Sequence, residues 1–282
     1  MSQITFVVFT YNEEGRIERV IRNFLGAGHI LIVDNYSTDR TVELARRHGC
    51  EILLNRNQGW VEDAITAARV KEAVKTPWIY WAYADEIIGR TTLTKIVETI
   101  ENPQLSVVNV YRKNYFYGVF CHDAFADKTS RVFRKEAIDF ADNTIHHFGK
   151  ISVAATNVHT LDKSYYVHHF ITYTAKSYIA ALDRYTDIEA EQPGRPLSLA
   201  RTAASVSKTF VMNFFVRRAY RAAMAGLILT LFQCIYLILA FMKKYERRFQ
   251  LNSQGIESVN NRIRDELLAD FAELNSVQGR VG

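Results

Sequence analysis

Ile4-Thr5-Phe6-Val7-Val8-Phe9, followed at once by Thr10-Tyr11-Asn12-Glu13-Glu14, is the stretch on which the fold turns. The apolar run is too short for the core of a secretion signal and has no basic lead, so it reads as a strand. Its apolar residues are continuous rather than alternating, as in a parallel strand buried on both faces. Working outward, a helix is expected from about Glu13, with Ile17, Val20, Ile21, Phe24 and Leu25 on one face. Gly26 and Gly28 supply its stop. Ile30–Val33 is a second strand, and Ser37 or Thr38 caps a helix that ends near Gly49. Glu51–Leu54 is a third strand. A loop containing Gly59 leads to a helix from about Val61 to Val74, and Pro77 opens a fourth strand, Trp78–Ala82. Strands alternating with helices define an α/β fold: a Rossmann-like, mostly parallel sheet with helices on both faces.

The pattern changes at Leu105. Leu105–Arg112 and Arg131–Arg134 read as strands, with the aromatic segment Tyr115, Phe116, Tyr117 and Phe120 between them. After His168 the chain turns helical, first over Lys176–Glu191. Two of the four prolines then fall in Pro193-Gly194-Arg195-Pro196, and long helices follow. The break divides a domain of residues 1–195 from a helical appendage, 196–282. The 282 residues are 48% hydrophobic and 23% charged, which excludes disorder and leaves enough chain for a core without staples. Cys50, Cys121 and Cys234 are too far apart to form a short-spaced metal pair, so a reducing, cytoplasmic setting is expected.

In an open parallel sheet, ligands bind beyond the carboxyl ends of the strands. Those ends read Thr10-Tyr11-Asn12-Glu13-Glu14, Asp34-Asn35-Tyr36-Ser37-Thr38-Asp39, Asn55-Arg56-Asn57-Gln58-Gly59 and Tyr83-Ala84-Asp85-Glu86. Four polar, partly acidic ends in register point to a site. No GxGxxG fingerprint and no Walker A sequence is present, which argues against a dinucleotide enzyme and a P-loop ATPase.

The first two of these ends, with Trp81-Ala82-Tyr83-Ala84-Asp85-Glu86 in place of an acidic metal motif, resemble a family 2 glycosyltransferase of the GT-A fold. Ser130-Arg131-Val132-Phe133-Arg134-Lys135, then Ile145-His146-His147, then His168-His169-Phe170 ahead of Leu182-Asp183-Arg184-Tyr185, are similar to the lipopolysaccharide inner-core sugar transferases. That subgroup also carries an apolar C-terminal helix with basic ends. The resemblance spans about residues 4–245 and implies transfer, with inversion, of a sugar from a nucleotide-diphosphate donor, such as a UDP-sugar, to a hydroxyl of a glycan or glycolipid acceptor. It also implies Mg²⁺ or Mn²⁺ as cofactor.

Residue by residue, the resemblance gives Asp85 and His169 to the metal. Thr10, Tyr11, Glu13, Asp34, Asn35, Gly59, Tyr83 and Ala84 go to the nucleotide. The general base is His147 or Asp127, with Asp142 a third choice. The chain departs from the family pattern in three places. Tyr83 replaces the first metal acid, Asn35 replaces a second acid after the second strand, and His147 replaces the carboxylate usually proposed as base. Arg131 and Arg134 alternate on a strand and could meet phosphate, or be surface residues. The Tyr115–Phe120 segment could stack on sugar, or pack in a core. Arg184 and Tyr185 could line the acceptor side, or serve helix packing.

Between Arg201 and Arg248 nine basic residues face one acidic residue, a balance of +8, so the remainder of a chain with net charge +5 carries −3. This basic excess flanks Ala222–Met242, a charge-free run of about 31 Å as a helix. Three readings stay open: a buried or oligomer-forming helix, a helix lying in a membrane interface, and a single span. Anionic lipid would favour the basic flanks, which suits a peripheral enzyme at the inner face of the cytoplasmic membrane. A homo-oligomer is possible. Nucleic acid is not an expected partner, since the basic residues border an apolar segment rather than interleave with aromatics over a sheet. A catalytically silent GT-A binding or scaffold protein, and a transferase with a soluble or protein acceptor, are the alternatives.

Overall fold

The computed structural model describes residues 3–57, 63–141, 143, 148–191 and 197–278, with side chains up to 269. The chain forms two compact units. One comprises Met1–Ile179 with Lys208–Phe232, the other Ala180–Ser207 with Gln233–Gly282.

The first unit begins with β1 (Ile4–Thr10), α1 (Ile17–Phe24), β2 (His29–Asp34), α2 (Thr41–Arg47), β3 (Glu51–Leu54), α3 (Ala64–Ala73) and β4 (Trp78–Tyr83). The order β3-β2-β1-β4 is parallel throughout. β5 (Glu86–Ile88), α4 (Arg90–Ile100), β6 (Val107–Phe116), β7 (Val119–Phe120), β8 (Asp127–Arg134), β9 (Ile138–Asp139), β10 (Lys150–Ile151), β11 (Val158–Thr160) and β12 (Tyr166–Ile171) follow. The main sheet continues from β4 through β8, β6 and β12 to β5. β8 runs antiparallel to both of its neighbours, while β12 is parallel to β6. This is the α/β, mostly parallel architecture expected of a GT-A domain.

Alternate side chains of the parallel strands feed opposite faces. Phe6 and Val8 of β1 and Trp78 and Tyr80 of β4 pack with Ile17, Val20, Ile21 and Phe24 of α1 and Ile96 and Ile100 of α4. Phe6 stacks on Phe24 with ring centroids 4.3 Å apart. Val7, Leu31 and Val33 face the other way, onto Ala67 and Val70 of α3. Gly26, at φ +82°, ends α1 as expected. Gly28 serves a different purpose: a Cβ there would lie 2.5 Å from the Ile4 carbonyl oxygen, so its lack of side chain lets the turn lie against β1.

The start of α2 departs from expectation. Ser37 and Thr38 do not cap it: Arg40 is the N-cap residue and makes no side-chain cap bond, and Asp39 before it accepts the Thr41 amide at 2.9 Å through Oδ1. Ser37 and Thr38 are drawn instead to Asp34 and Asn12. After β12 come α5 (Ala175–Glu191), α6 (Leu199–Phe210), α7 (Ala223–Arg248) and α8 (Ser253–Gln278). Among the described residues, 219–248 is the one helical stretch long and apolar enough to cross a membrane.

Candidate active site

β1 and β2 end side by side, Thr10 level with Asp34. Asp34 is fully buried and accepts hydrogen bonds from the Thr10 hydroxyl at 2.8 Å, the Ser37 amide at 2.8 Å and the Ser37 hydroxyl at 2.6 Å. Ser37 Oγ accepts the Asn12 amide at 2.8 Å, and Asn12 Oδ1 accepts the Thr38 amide at 2.8 Å. One buried carboxylate therefore ties the first strand-end loop to the second. Asn12 and Tyr36 lie between these anchors in the left-handed region, at φ 56° and 59°. That conformation is unfavourable for tyrosine and persists because the surrounding bonds over-determine it. Tyr11 and Tyr36 are left exposed, and the Arg56 guanidinium sits 5.0 Å from the Tyr36 ring centroid.

Asn35, the departure from an acid, bridges to the third loop. Its Nδ2 donates to the Asn57 carbonyl at 2.8 Å while its Oδ1 accepts the Asn57 amide at 2.9 Å. An amide can do both, and a carboxylate cannot. Asn35→Asp is expected to lose one bond and set a carboxylate against a carbonyl, destabilising the fold by about 1–3 kcal/mol. Equilibrium urea unfolding would measure it, and a variant as stable as the parent would refute the bridging role.

Glu13 is held by Arg16 through Nε at 2.6 Å and Nη2 at 2.8 Å. Burial pushes the Glu13 carboxyl above its ordinary value; Arg16 opposes that, while nearby Asp85 and Asp39 add to it. Glu13 and Asp85 thus share one electrostatic neighbourhood, in which Arg16 acts on both.

Asp85 lies in the two-residue turn between β4 and β5, and its backbone oxygen accepts the Phe170 amide at 2.9 Å. Its Oδ2 lies 3.2 Å from His169 Nε2. The far ring nitrogen, His169 Nδ1, is 2.6 Å from Asn114 Oδ1. Asn114 Nδ2 donates to the Phe125 carbonyl at 2.8 Å, so it is the amide oxygen that faces the ring. Nδ1 is therefore a donor, which leaves Nε2 to face the Asp85 carboxylate. At that distance either a proton on Nε2 or a cation between the two groups would join them. Burial raises the Asp85 carboxyl, but His169, then Arg16 and Arg112, outweigh it and hold it below the usual carboxylate range. Among the described residues no third His, Cys, Asp or Glu completes a cluster with them. An ionised oxygen, an imidazole nitrogen and an asparagine fixing the tautomer form a donor set that fits a divalent cation sharing its remaining positions with phosphate and water.

Glu86, next in sequence, is buried beside buried Arg131, whose Nη1 donates to Glu86 Oε1. Arg112 Nη1 approaches the same oxygen at 3.5 Å. Arg112 also grips Asp127 with Nε at 3.0 Å and Nη2 at 2.8 Å. The Arg131 guanidinium lies over Tyr83, 4.6 Å from its ring centroid. Arg134 donates instead to the Leu105 carbonyl at 2.9 Å and lies over Trp78. The two arginines thus serve separate surroundings, because residues three apart on a strand point to opposite faces. Arg131 is buried and Arg134 half-buried.

The structure brings together Thr10, Asp34 and Asn35 in one group, and Asp85, His169, Tyr83 and Asp127 around Glu86 and Asn114 in another. Ala84 is buried beside Tyr83. Gly59, Asp142, His146 and His147 lie outside the described residues. The aromatic segment divides: Phe116 is buried, whereas Tyr115 stacks on Phe170 at 4.6 Å and packs on Phe120 at 5.1 Å. Arg184 lies over Tyr185 on α5, at 5.0 Å. Sequence reasoning missed Arg16, Tyr36 and Asn114. For the last no signal stood out, since β6 also carries Asn109, Arg112 and Lys113.

Residues 5–151 match the model of glycosyl transferase family 2, and the chain belongs to that family: it is a glycosyltransferase. It is 25% identical to an uncharacterised glycosyltransferase of Rickettsia bellii over 89% of this chain and 88% of that one. A second such glycosyltransferase, from Rickettsia prowazekii, is 25% identical over 93% of each chain. Among solved structures, a mannosyltransferase of Pyrobaculum calidifontis in complex with GDP-Man and Mn²⁺ is similar over 86% of this chain and 87% of that one. Its identity is 17% and its TM-score 0.47. TarS of S. aureus in complex with UDP-GlcNAc is similar over 90% and 93%, with 11% identity and a TM-score of 0.46.

Proposed function

We propose that this protein transfers a sugar, with inversion, from a nucleotide-diphosphate donor, with UDP as the nucleotide, to a hydroxyl of a membrane-linked glycan of the lipopolysaccharide-core kind. It does so at the inner face of the cytoplasmic membrane. The observation that carries the reading is the facing pair Asp85–His169, set at the strand ends beside the Asp34-braced loops. Tyr11 and Tyr36 offer ring faces to a nucleoside base, and Thr10, Asn35 and Glu13 line the loops that would receive the ribose. Asp34 acts from beneath, holding Thr10 and Ser37 in place.

Asp85 and His169 are the residues that would hold Mg²⁺ or Mn²⁺, which when bound supplies Lewis-acid neutralisation of the departing diphosphate. Tyr83, under Arg131, takes the place of a metal acid and leaves the ion with fewer protein charges. The acceptor hydroxyl needs a base within hydrogen-bond reach. Both carboxylate oxygens of Asp127 are taken up by Arg112, so the reading favours His147.

A panel of UDP-, GDP- and dTDP-sugars, each screened by thermal shift with Mn²⁺, tests the donor. At a hundred times its Kd, a true donor adds about 2.7 kcal/mol. For a unit of this size that corresponds to roughly 5–10 °C in Tm. A panel that shifts nothing would leave a silent GT-A scaffold as the better reading.

A further inference from the structure

The two basic flanks of the apolar run, equivalent in sequence, differ in the folded chain. At the carboxyl end of α7, Lys243 pairs with Asp183 at 2.6 Å and Asp187 at 2.7 Å, Lys244 with Glu189 at 2.8 Å, and Arg247 with Glu191 at 3.1 Å. Those charges are neutralised by α5. At the amino end, Lys208, Arg217, Arg218 and Arg221 are all exposed, and among the described residues none makes an ion pair. No acidic residue occurs between Arg201 and Tyr245.

The same corner exposes apolar surface. Phe215 is 55% exposed, Val216 59%, Tyr220 50% and Met224 64%. Val211 and Met212 beside them are also exposed. The corner is rigidly built. A π-helical segment, residues 211–216, ends where the Arg217 amide donates to the Met212 carbonyl at 2.8 Å. Arg218 turns the chain at φ 60°, and a 3₁₀ turn over residues 219–222 enters α7. Buried Ala219 and Ala222 lie so close to α7 that a Cβ on Gly226 would meet the Ala219 carbonyl oxygen at 1.9 Å. Small residues therefore lock the corner while its large apolar and basic side chains point outward.

We propose that this corner, residues 208–224, docks on an anionic lipid bilayer, its aromatic and aliphatic side chains entering the headgroup boundary and its unpaired arginines meeting lipid phosphates. The inference rests on the membrane placement proposed above and names the segment that makes the contact. Charge complementarity commits it to lipid rather than to a second copy: an identical corner would bring four unpaired cations against four more.

Flotation of the full chain with vesicles tests this directly, without donor present. Binding is expected to vesicles of equal parts phosphatidylcholine and phosphatidylglycerol, to weaken as salt is raised, and to be absent with phosphatidylcholine alone. The pair Arg218→Gln and Arg221→Gln should lower partitioning by roughly fivefold per charge removed. Phe215→Ser with Val216→Ser should lower it at least as much. Arg247→Gln, on the neutralised flank, should leave it unchanged. Equal flotation of the parent and the Arg218/Arg221 variant would overturn the proposal. So would a dimer in light scattering that Phe215→Ser dissolves while the parent ignores vesicles. The expected flotation pattern in a protein that binds no nucleotide sugar would uphold the docking surface and fail only the donor assignment.

Discussion

Asp85→Asn is expected to lower the rate of sugar transfer by about a thousandfold while leaving the fold intact. The replacement keeps the shape of the side chain and leaves the Phe170 amide bonded to the residue 85 carbonyl, at 2.9 Å in the parent. What it removes is the charge that faces His169 Nε2 across 3.2 Å. A group that stabilises charge developing only in the transition state acts mainly on kcat, and deletion of one such group is worth about two to three orders of magnitude. Mn²⁺ calorimetry gives a readout independent of turnover: the variant should lose measurable binding. Asn114→Leu offers the complementary arm. It touches no ligand but frees the His169 tautomer, and loss of such an orienting partner typically costs 10–100-fold in metal affinity. Unchanged Mn²⁺ binding in both variants would remove the cation from this site. Unchanged turnover in Asp85→Asn would remove Asp85 from the reaction.

How much of this was legible in the sequence depends on how local the determinant is. β1, β2 and β4 could be read because each holds a continuous apolar run bounded by turn residues, the pattern of a parallel strand buried on both faces, while β3, at the sheet edge, is only partly buried. The strand ends could be read as site positions because parallel topology places them together whatever their contacts. The role of Asp34 could not: full burial under Thr10 and Ser37 depends on the twist of two adjacent loops, and its carboxylate braces those loops. Asn35 looked like a defect in an acidic pair. It is a bridge to Asn57, 22 residues away, visible only once β3 lies beside β2. Arg131 and Arg134, three residues apart on a strand, had to point to opposite faces. Which partner each meets, Glu86 or the Leu105 carbonyl, depends on the strands beside β8 and was not legible. The apolar run 222–242 showed two basic flanks, and only the packing of α5 residues beside α7 distinguishes the neutralised end from the free one.

Arg131→Met is expected to produce the largest loss of stability. Glu86 is 2% exposed and Arg131 7%. Oε1 of Glu86 holds Arg131 and, at 3.5 Å, Arg112; Oε2 has no hydrogen-bond partner among the described residues. Taking two charges out of water costs several kcal/mol each, which their attraction offsets only while both are present. Removing Arg131 leaves the carboxylate with one distant cation, an error of about 3–5 kcal/mol. For a unit of about 200 residues, this corresponds to a fall of roughly 6–20 °C in Tm. Methionine fills much of the aliphatic volume of arginine, so the loss would report the charge rather than a cavity. The double variant Glu86→Gln with Arg131→Met should recover a large part of it, since no unpaired charge then remains buried. That recovery is the non-additivity a double-mutant cycle measures. The pair also governs the site. Arg131 lies over Tyr83, and Glu86 directly follows Asp85, so the buried ion pair sets the turn that presents the Asp85 carboxylate. The stabilised double variant should therefore fold but transfer sugar more slowly than the parent. Should the double variant melt no higher than Arg131→Met alone, the destabilisation would have to come from lost packing over Tyr83 rather than from an unpaired Glu86.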